Sequence, residues 1–82
     1  EQTMRLDKYL KVSRLIKRRT VANEACDNER VSVNGKVARA SYDVKLGDVI
    51  TLRLGQNTVS VEVLSLNENA GKAEAAAMYR QV

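Results

Sequence analysis

Seven cationic side chains crowd the start of the chain: Arg5, Lys8, Lys11, Arg14, Lys17, Arg18 and Arg19, half of its fourteen lysines and arginines. Only Asp7 offsets them over that stretch. The chemistry open to such a cluster is the binding of a polyanion. A guanidinium is a planar fork that grips phosphate through two parallel hydrogen bonds and stacks on bases, whereas an ammonium adds mainly a diffuse field. No lattice of Glu and Lys at i,i+4 spacing accounts for these charges as helix support. Asp7 admits two readings. It orients a neighbouring cation, Arg5 or Lys11, or it accepts from a ribose 2′-OH, which would favour RNA over DNA.

Composition removes the common enzyme chemistries. The chain has no His and one Cys, so the commonest general base, the usual thiolate metal clusters and an internal disulfide are all missing. No Gly-rich phosphate loop is present. Cys26 reads as a small packed residue, and Asp48, after Gly47, as a turn residue. The expectation is a non-enzymatic protein with no cofactor and no metal. No run approaches the ~18 apolar residues of a membrane helix, and no signal peptide opens the chain. Net charge is +4, unevenly spread: residues 5–45 carry eleven basic against five acidic side chains, residues 46–82 three against four. A basic first half on a near-neutral second half implies a one-sided polyanion contact.

The elements that position the cations follow from periodicity. At ~100° per residue, Leu6, Tyr9, Leu10 and Ser13 share one arc, with Lys8 and Lys11 opposite, which predicts a short helix over 6–12. Residues 13–17 connect, with Leu15 and Ile16 buried beneath. A second helix starts at Arg18, Arg19 and Thr20, capped by Thr20 or a residue just before it. Its inward face is Val21, Ala22, Ala25 and Cys26, and Asn28 supplies a left-handed stop. Arg30 to Val33 and Lys36 to Ala38 form a hairpin around Asn34-Gly35, a type I′ turn signal; this turn sets Lys36 beside the basic helices. Residues 39–45 are a loop with Tyr42, and Leu46-Gly47-Asp48 a turn. Strands are expected over 49–54 and 58–66, with a bulge near Val63 because Leu64 and Leu66 are out of phase with Val59, Val61 and Val63. A polar linker over 67–72, a helical turn over 73–77 and a docking Met78-Tyr79 close the chain. The three Tyr read as packing residues, with Tyr9 the best placed to stack on a base.

At these residues the sequence resembles a known family. Arg5-Leu6-Asp7-Lys8-Tyr9-Leu10, Arg19-Thr20, Val31-Ser32-Val33-Asn34-Gly35 and Val44-Lys45-Leu46-Gly47-Asp48-Val49-Ile50 follow, in order and with suitable spacing, the pattern of the S-four (alpha-L) RNA-binding domain. The run from Met4 to Thr20 and the tail Glu74 to Tyr79 are most similar to the stand-alone proteins of the RqcP (YabO) type, relatives of the heat-shock S-four proteins. The resemblance implies a bacterial factor of ribosome-associated quality control. It would bind large-subunit rRNA and peptidyl-tRNA beside an NFACT-family tailing protein (RqcH), and hold the peptidyl-tRNA between additions of C-terminal alanine. By position, Arg19 matches the motif's arginine on the second helix, and Arg5 and Asp7 its opening Arg-Leu-Asp. Glu29 departs from the pattern, standing where many members have Gly; either Asn28 takes over the left-handed role or the helix ends differently.

The expected fold is α+β: two short helices on a small, mainly antiparallel sheet of four or five short strands. Residues 4–66 form the domain, 67–82 a C-terminal extension and 1–3 an expression-tag remnant. The expected RNA-binding residues are Arg5, Asp7, Lys8, Lys11, Arg14, Lys17, Arg18, Arg19 and Lys36, on a cytoplasmic, ribosome-associated protein that is monomeric off the ribosome. Two rivals are a heat-shock-type role, rescuing large subunits without tailing, and the RNA-guiding domain of an RNA-modifying enzyme. The second needs a catalytic domain for which a start at Met4 and a short tail leave no room. A protein-only interaction module is opposed by the charge asymmetry.

Overall fold

Apolar spacing sets the first helix. In the computed structural model, which describes residues 3–67 and 71–82, α1 spans Leu6–Val12 and buries Leu6, Tyr9 and Leu10 completely. Ser13, on the same arc, caps its C-terminus and is also buried. Ahead of it, β1 (Met4–Arg5) pairs with β4 (Asp43–Val44) as a separate two-stranded ribbon. The sequence alone reads residues 39–45 as a loop. Two-residue strands carry no alternation to detect; here the pairing is continued by Leu6 N–H and Asp7 N–H, which donate to the Tyr42 and Ala40 carbonyls.

The second helix, α2, spans Arg19–Asp27 and lies against α1. It buries Ala22 and Cys26, with Ala25 partly covered. Small residues allow this close approach. Val21, expected inward, is 47% exposed, because a contact between two short helices covers only the stripe through residues 22 and 26. Thr20 is not the cap: extended Arg18 holds that position and no side chain caps the helix.

Both helices end on a non-glycine residue in the left-handed region, Arg14 (φ +64°) and Glu29 (φ +58°). Asn28 therefore does not take the left-handed role; its φ is −91°. Glu29 N–H bonds the Cys26 carbonyl and Arg30 N–H the Ala25 carbonyl, the paired bonds of a Schellman motif. That backbone would suit glycine, so Glu29→Gly should stabilise the fold by about 1 kcal/mol and raise the melting temperature by several degrees. A lowered melting temperature would mean that the Glu29 side chain contributes more than its backbone costs.

The main sheet is antiparallel, in the order β3-β2-β5-β6-β7. Its strands are β2 (Val31–Val33), β3 (Lys36–Val37), β5 (Val49–Leu54), β6 (Asn57–Val63) and β7 (Tyr79–Gln81). The β2–β3 turn is type I′, with φ +53° at Asn34 and +84° at Gly35. Asn34 does more than turn the chain. Its carboxamide accepts from Val49 N–H at 3.0 Å and donates to Asp48 at 3.1 Å, so the two turn motifs are bonded to each other. Val31, Val33, Ile50, Leu52, Val61 and Val63 supply the sheet's buried face.

Strand β6 stops at Val63, short of the expected residue 66. Leu64 and Ser65 N–H both donate to the Met78 carbonyl. Two donors on one acceptor shift the phase as a bulge does, leaving Leu64 exposed and Leu66 buried. After α3 (Lys72–Ala76), Met78 enters the core and β7 adds a fifth strand, with Arg80 paired to Glu62 across the strands. Of the polar linker expected over 67–72, residues 68–70 lie outside the described residues, as do Glu1 and Gln2 of the expected remnant.

Candidate nucleic-acid interface

Asp7 sits in the first turn of α1 with its side chain 2% exposed. Its carboxylate is the hub of the helix pair. Oδ1 accepts from Arg5 Nε at 3.2 Å and from Lys8 N–H at 2.8 Å. Oδ2 accepts from Arg5 Nη2 at 3.3 Å, Arg19 Nε at 3.3 Å and Asn23 Nδ2 at 3.4 Å. Burial alone would raise its pKa. The hydrogen bonds from Arg5, Arg19 and Lys8, and the Arg19 charge, outweigh burial and hold the carboxyl below its ordinary value. Asp7 is thus ionised and surrounded by donors.

Of the two partners expected for Asp7, Arg5 is found and Lys11 is not; Arg19 takes that place from the second helix. Asn23 was missed. It lies four residues after Arg19 on α2, so the i,i+4 rule puts both on the face turned to α1. That spacing was the available signal.

Both arginine side chains remain about half exposed, 49% for Arg5 and 50% for Arg19. Each of the five-donor forks keeps N–H groups that Asp7 does not use. A hollow of about 360 Å³ opens beside them, lined by Asp7, Arg19, Thr20, Asn23 and Glu24. The local design is poor for a helix alone. α2 begins at Arg18-Arg19, with no acidic residue in its first turn and no side-chain cap, against the preference of a helix dipole for anions there. An anion at the arginine donors that Asp7 does not use would offset that mismatch.

The other sequence-predicted cations lie on the same stretch of chain, Lys36 excepted. Lys8 and Lys11 lie on α1, Lys8 half-buried and Lys11 exposed; Arg14, Lys17 and Arg18 are exposed along the connection. Lys36 stands apart, lining a different hollow with Val37 and Tyr42 on the sheet's edge strand. Tyr9 is fully buried and donates to the Met78 carbonyl at 2.7 Å, so it has no face free for a base. Burial, with a smaller contribution from Asp7 and Asp27, pushes the Cys26 thiol up to about 11, which keeps it protonated and unreactive.

The family model of the S4 domain matches residues 4–50. The chain belongs to the S4 domain family. It is 59% identical over 76 residues to a Bacillus subtilis protein named RQC P-site tRNA stabilizing factor, covering 93% of this chain and 88% of that one. A Halalkalibacterium halodurans protein of the same name is 54% identical, covering 93% and 86%. Among solved structures, the trimeric Vibrio cholerae Heat Shock Protein 15 is similar with a TM-score of 0.89 and 32% identity, over 99% of this chain and 83% of that one. The S-four resemblance in the motifs, and the α+β fold read from it, are borne out. No helix among the described residues is long and apolar enough to cross a membrane.

Proposed function

We propose that this protein is a non-enzymatic RNA-binding factor that docks on the large ribosomal subunit and steadies peptidyl-tRNA while an NFACT-family protein adds C-terminal alanine. The observation that carries this reading is the pair of half-exposed arginines, Arg5 and Arg19, held on one buried carboxylate. Membership of the S4 domain family and the names of relatives above 50% identity support it. Arg5 and Arg19 make the bidentate phosphate contacts, Lys8, Lys11, Arg14, Lys17, Arg18 and Lys36 provide the surrounding field, and Asp7 positions the arginines rather than touching RNA. Site of action is the cytoplasm, on the ribosome. The heat-shock-type reading has the fold similarity in its favour; the two differ in whether the tailing partner is required.

Affinity for structured rRNA should fall steeply with salt. If roughly five phosphates are neutralised, the log–log slope should be about −3 to −5. Arg19→Ala should weaken binding to purified large subunits more than Lys8→Ala or Lys11→Ala, which mainly flatten the slope. A slope near zero would end the polyanion reading, and Lys8 outranking Arg19 would reverse the assigned roles.

A further inference from the structure

A second groove, of about 400 Å³, runs along the far side of α2. Leu15, Val21 and Ala25 form its apolar floor, and Glu24, Arg30 and Arg53 stand around it. Strand register explains the two arginines. Val31 pairs with Leu52, so Arg30 and Arg53 face each other one step on, where Arg53 N–H donates to the Arg30 carbonyl at 2.9 Å. Val31 and Leu52 point into the core, so both arginine side chains point the other way and are exposed. Among the described residues neither guanidinium has a hydrogen-bond or ion-pair partner. Like charges directly opposed across a strand pair destabilise it. The pair is thus a cost to the isolated fold that an anion between the two would remove.

We propose that this groove binds one unpaired nucleotide of the RNA that Arg5 and Arg19 hold, with its phosphate between Arg30 and Arg53 and its base on Leu15, Val21 and Ala25. The proposal rests on the RNA-binding reading above. Charge complementarity selects the phosphate, and the partly exposed Val21 and Leu15 supply the apolar surface that a base, but not inorganic phosphate, would cover. Glu24 lines both this groove and the Asp7–Arg19 hollow. The two sites therefore adjoin across the exposed ridge of α2, and a strand leaving Arg19 meets the groove next. Glu24 is placed to accept from an exocyclic amino group or a 2′-OH.

The test uses the full chain and three RNA probes in a fluorescence anisotropy titration: a blunt hairpin, and the same hairpin carrying a short unpaired tail at its 5′ or its 3′ end. One of the tails should tighten binding about tenfold, the scale of a charge-assisted contact. That gain should vanish in Arg30→Gln/Arg53→Gln, shrink in Val21→Ser, and persist in the charge-matched control Arg39→Gln/Lys72→Gln. The Arg30→Gln/Arg53→Gln protein should melt no lower than wild type, since a like-charge pair has been removed. A wild type that binds the hairpin with no gain from either tail would overturn the groove site alone. A wild type that binds none of the probes would sink the RNA reading and the groove with it. A gain that survives in Arg30→Gln/Arg53→Gln, together with weakened joining to large subunits, would assign the groove to a protein partner and overturn the proposal.

Discussion

Asp7→Ala should weaken RNA binding about tenfold although it makes the protein more positive. The substitution raises net charge above +4, so a purely electrostatic account requires tighter binding. The geometry requires the opposite. Asp7 holds Arg5 through Nε and Nη2 and Arg19 through Nε; without it both forks must be ordered by the RNA itself, at about 0.5–1.5 kcal/mol for each immobilised side chain. Stability should fall too, by about 1–3 kcal/mol, as the Lys8 N–H and Asn23 lose their acceptor. The half-exposed arginine side chains can turn to water, which keeps this loss below that of breaking a fully buried ion pair. The pH dependence has a definite sign. The carboxyl of Asp7 lies below its ordinary value in the folded protein, so its stabilisation is complete above the unfolded-chain pKa, about 3.9, and is lost as pH falls through the folded value. The melting-temperature gap between wild type and Asp7→Ala should therefore be widest near neutral pH and close below about pH 4. Tighter binding by the variant would show that charge alone, not placement, governs affinity.

Tyr9→Ala should be the most damaging single change in the core, costing about 3–5 kcal/mol. Tyr9 is fully buried, and its hydroxyl reaches the Met78 carbonyl across the chain. It joins α1 to the segment that feeds β7. With no Phe or Trp in the sequence, nothing else of its size fills that space. A loss of this size is a large share of the stability of a small domain. Tyr9→Phe separates volume from hydrogen bond. The Met78 carbonyl keeps Leu64 and Ser65 N–H as donors, so the hydroxyl alone should be worth only about 0.5–1.5 kcal/mol. Both are read as midpoints of urea unfolding. A loss in Tyr9→Phe equal to that in Tyr9→Ala would mean that the bond, not the ring, closes the core.

Where one residue pattern dictates one backbone, the sequence was legible. The arc of Leu6, Tyr9, Leu10 and Ser13 set α1 to its last residue, and Asn34-Gly35 set the hairpin. The hub at Asp7 was half legible: a carboxylate among cations must orient some of them, but which ones depends on how α1 and α2 cross, and the wheel of one helix holds no record of that. Arg19 and Asn23 reach Asp7 only through tertiary packing. Val21 failed for a related reason, since a face counted from composition is wider than the stripe a neighbouring short helix covers. Glu29 shows the opposite limit. The family pattern marks a left-handed position there, the side chain argues against it, and the backbone follows the Schellman bonds with a glutamate in place. Strand β7 was hidden because Tyr79-Arg80-Gln81 has no apolar alternation; its place comes from Met78 being drawn into the core.

Acting by position, the arginine pair would favour one placement of tRNA on the large subunit. A preference of about 1.4 kcal/mol already shifts occupancy tenfold. The most direct measurement compares alanine tail length and peptidyl-tRNA occupancy on stalled large subunits supplied with the tailing protein and with wild-type or Arg19→Ala protein, at concentrations where both are docked. Short tails and reduced tRNA occupancy are expected with Arg19→Ala. Tails of normal length from docked Arg19→Ala protein would contradict action by position.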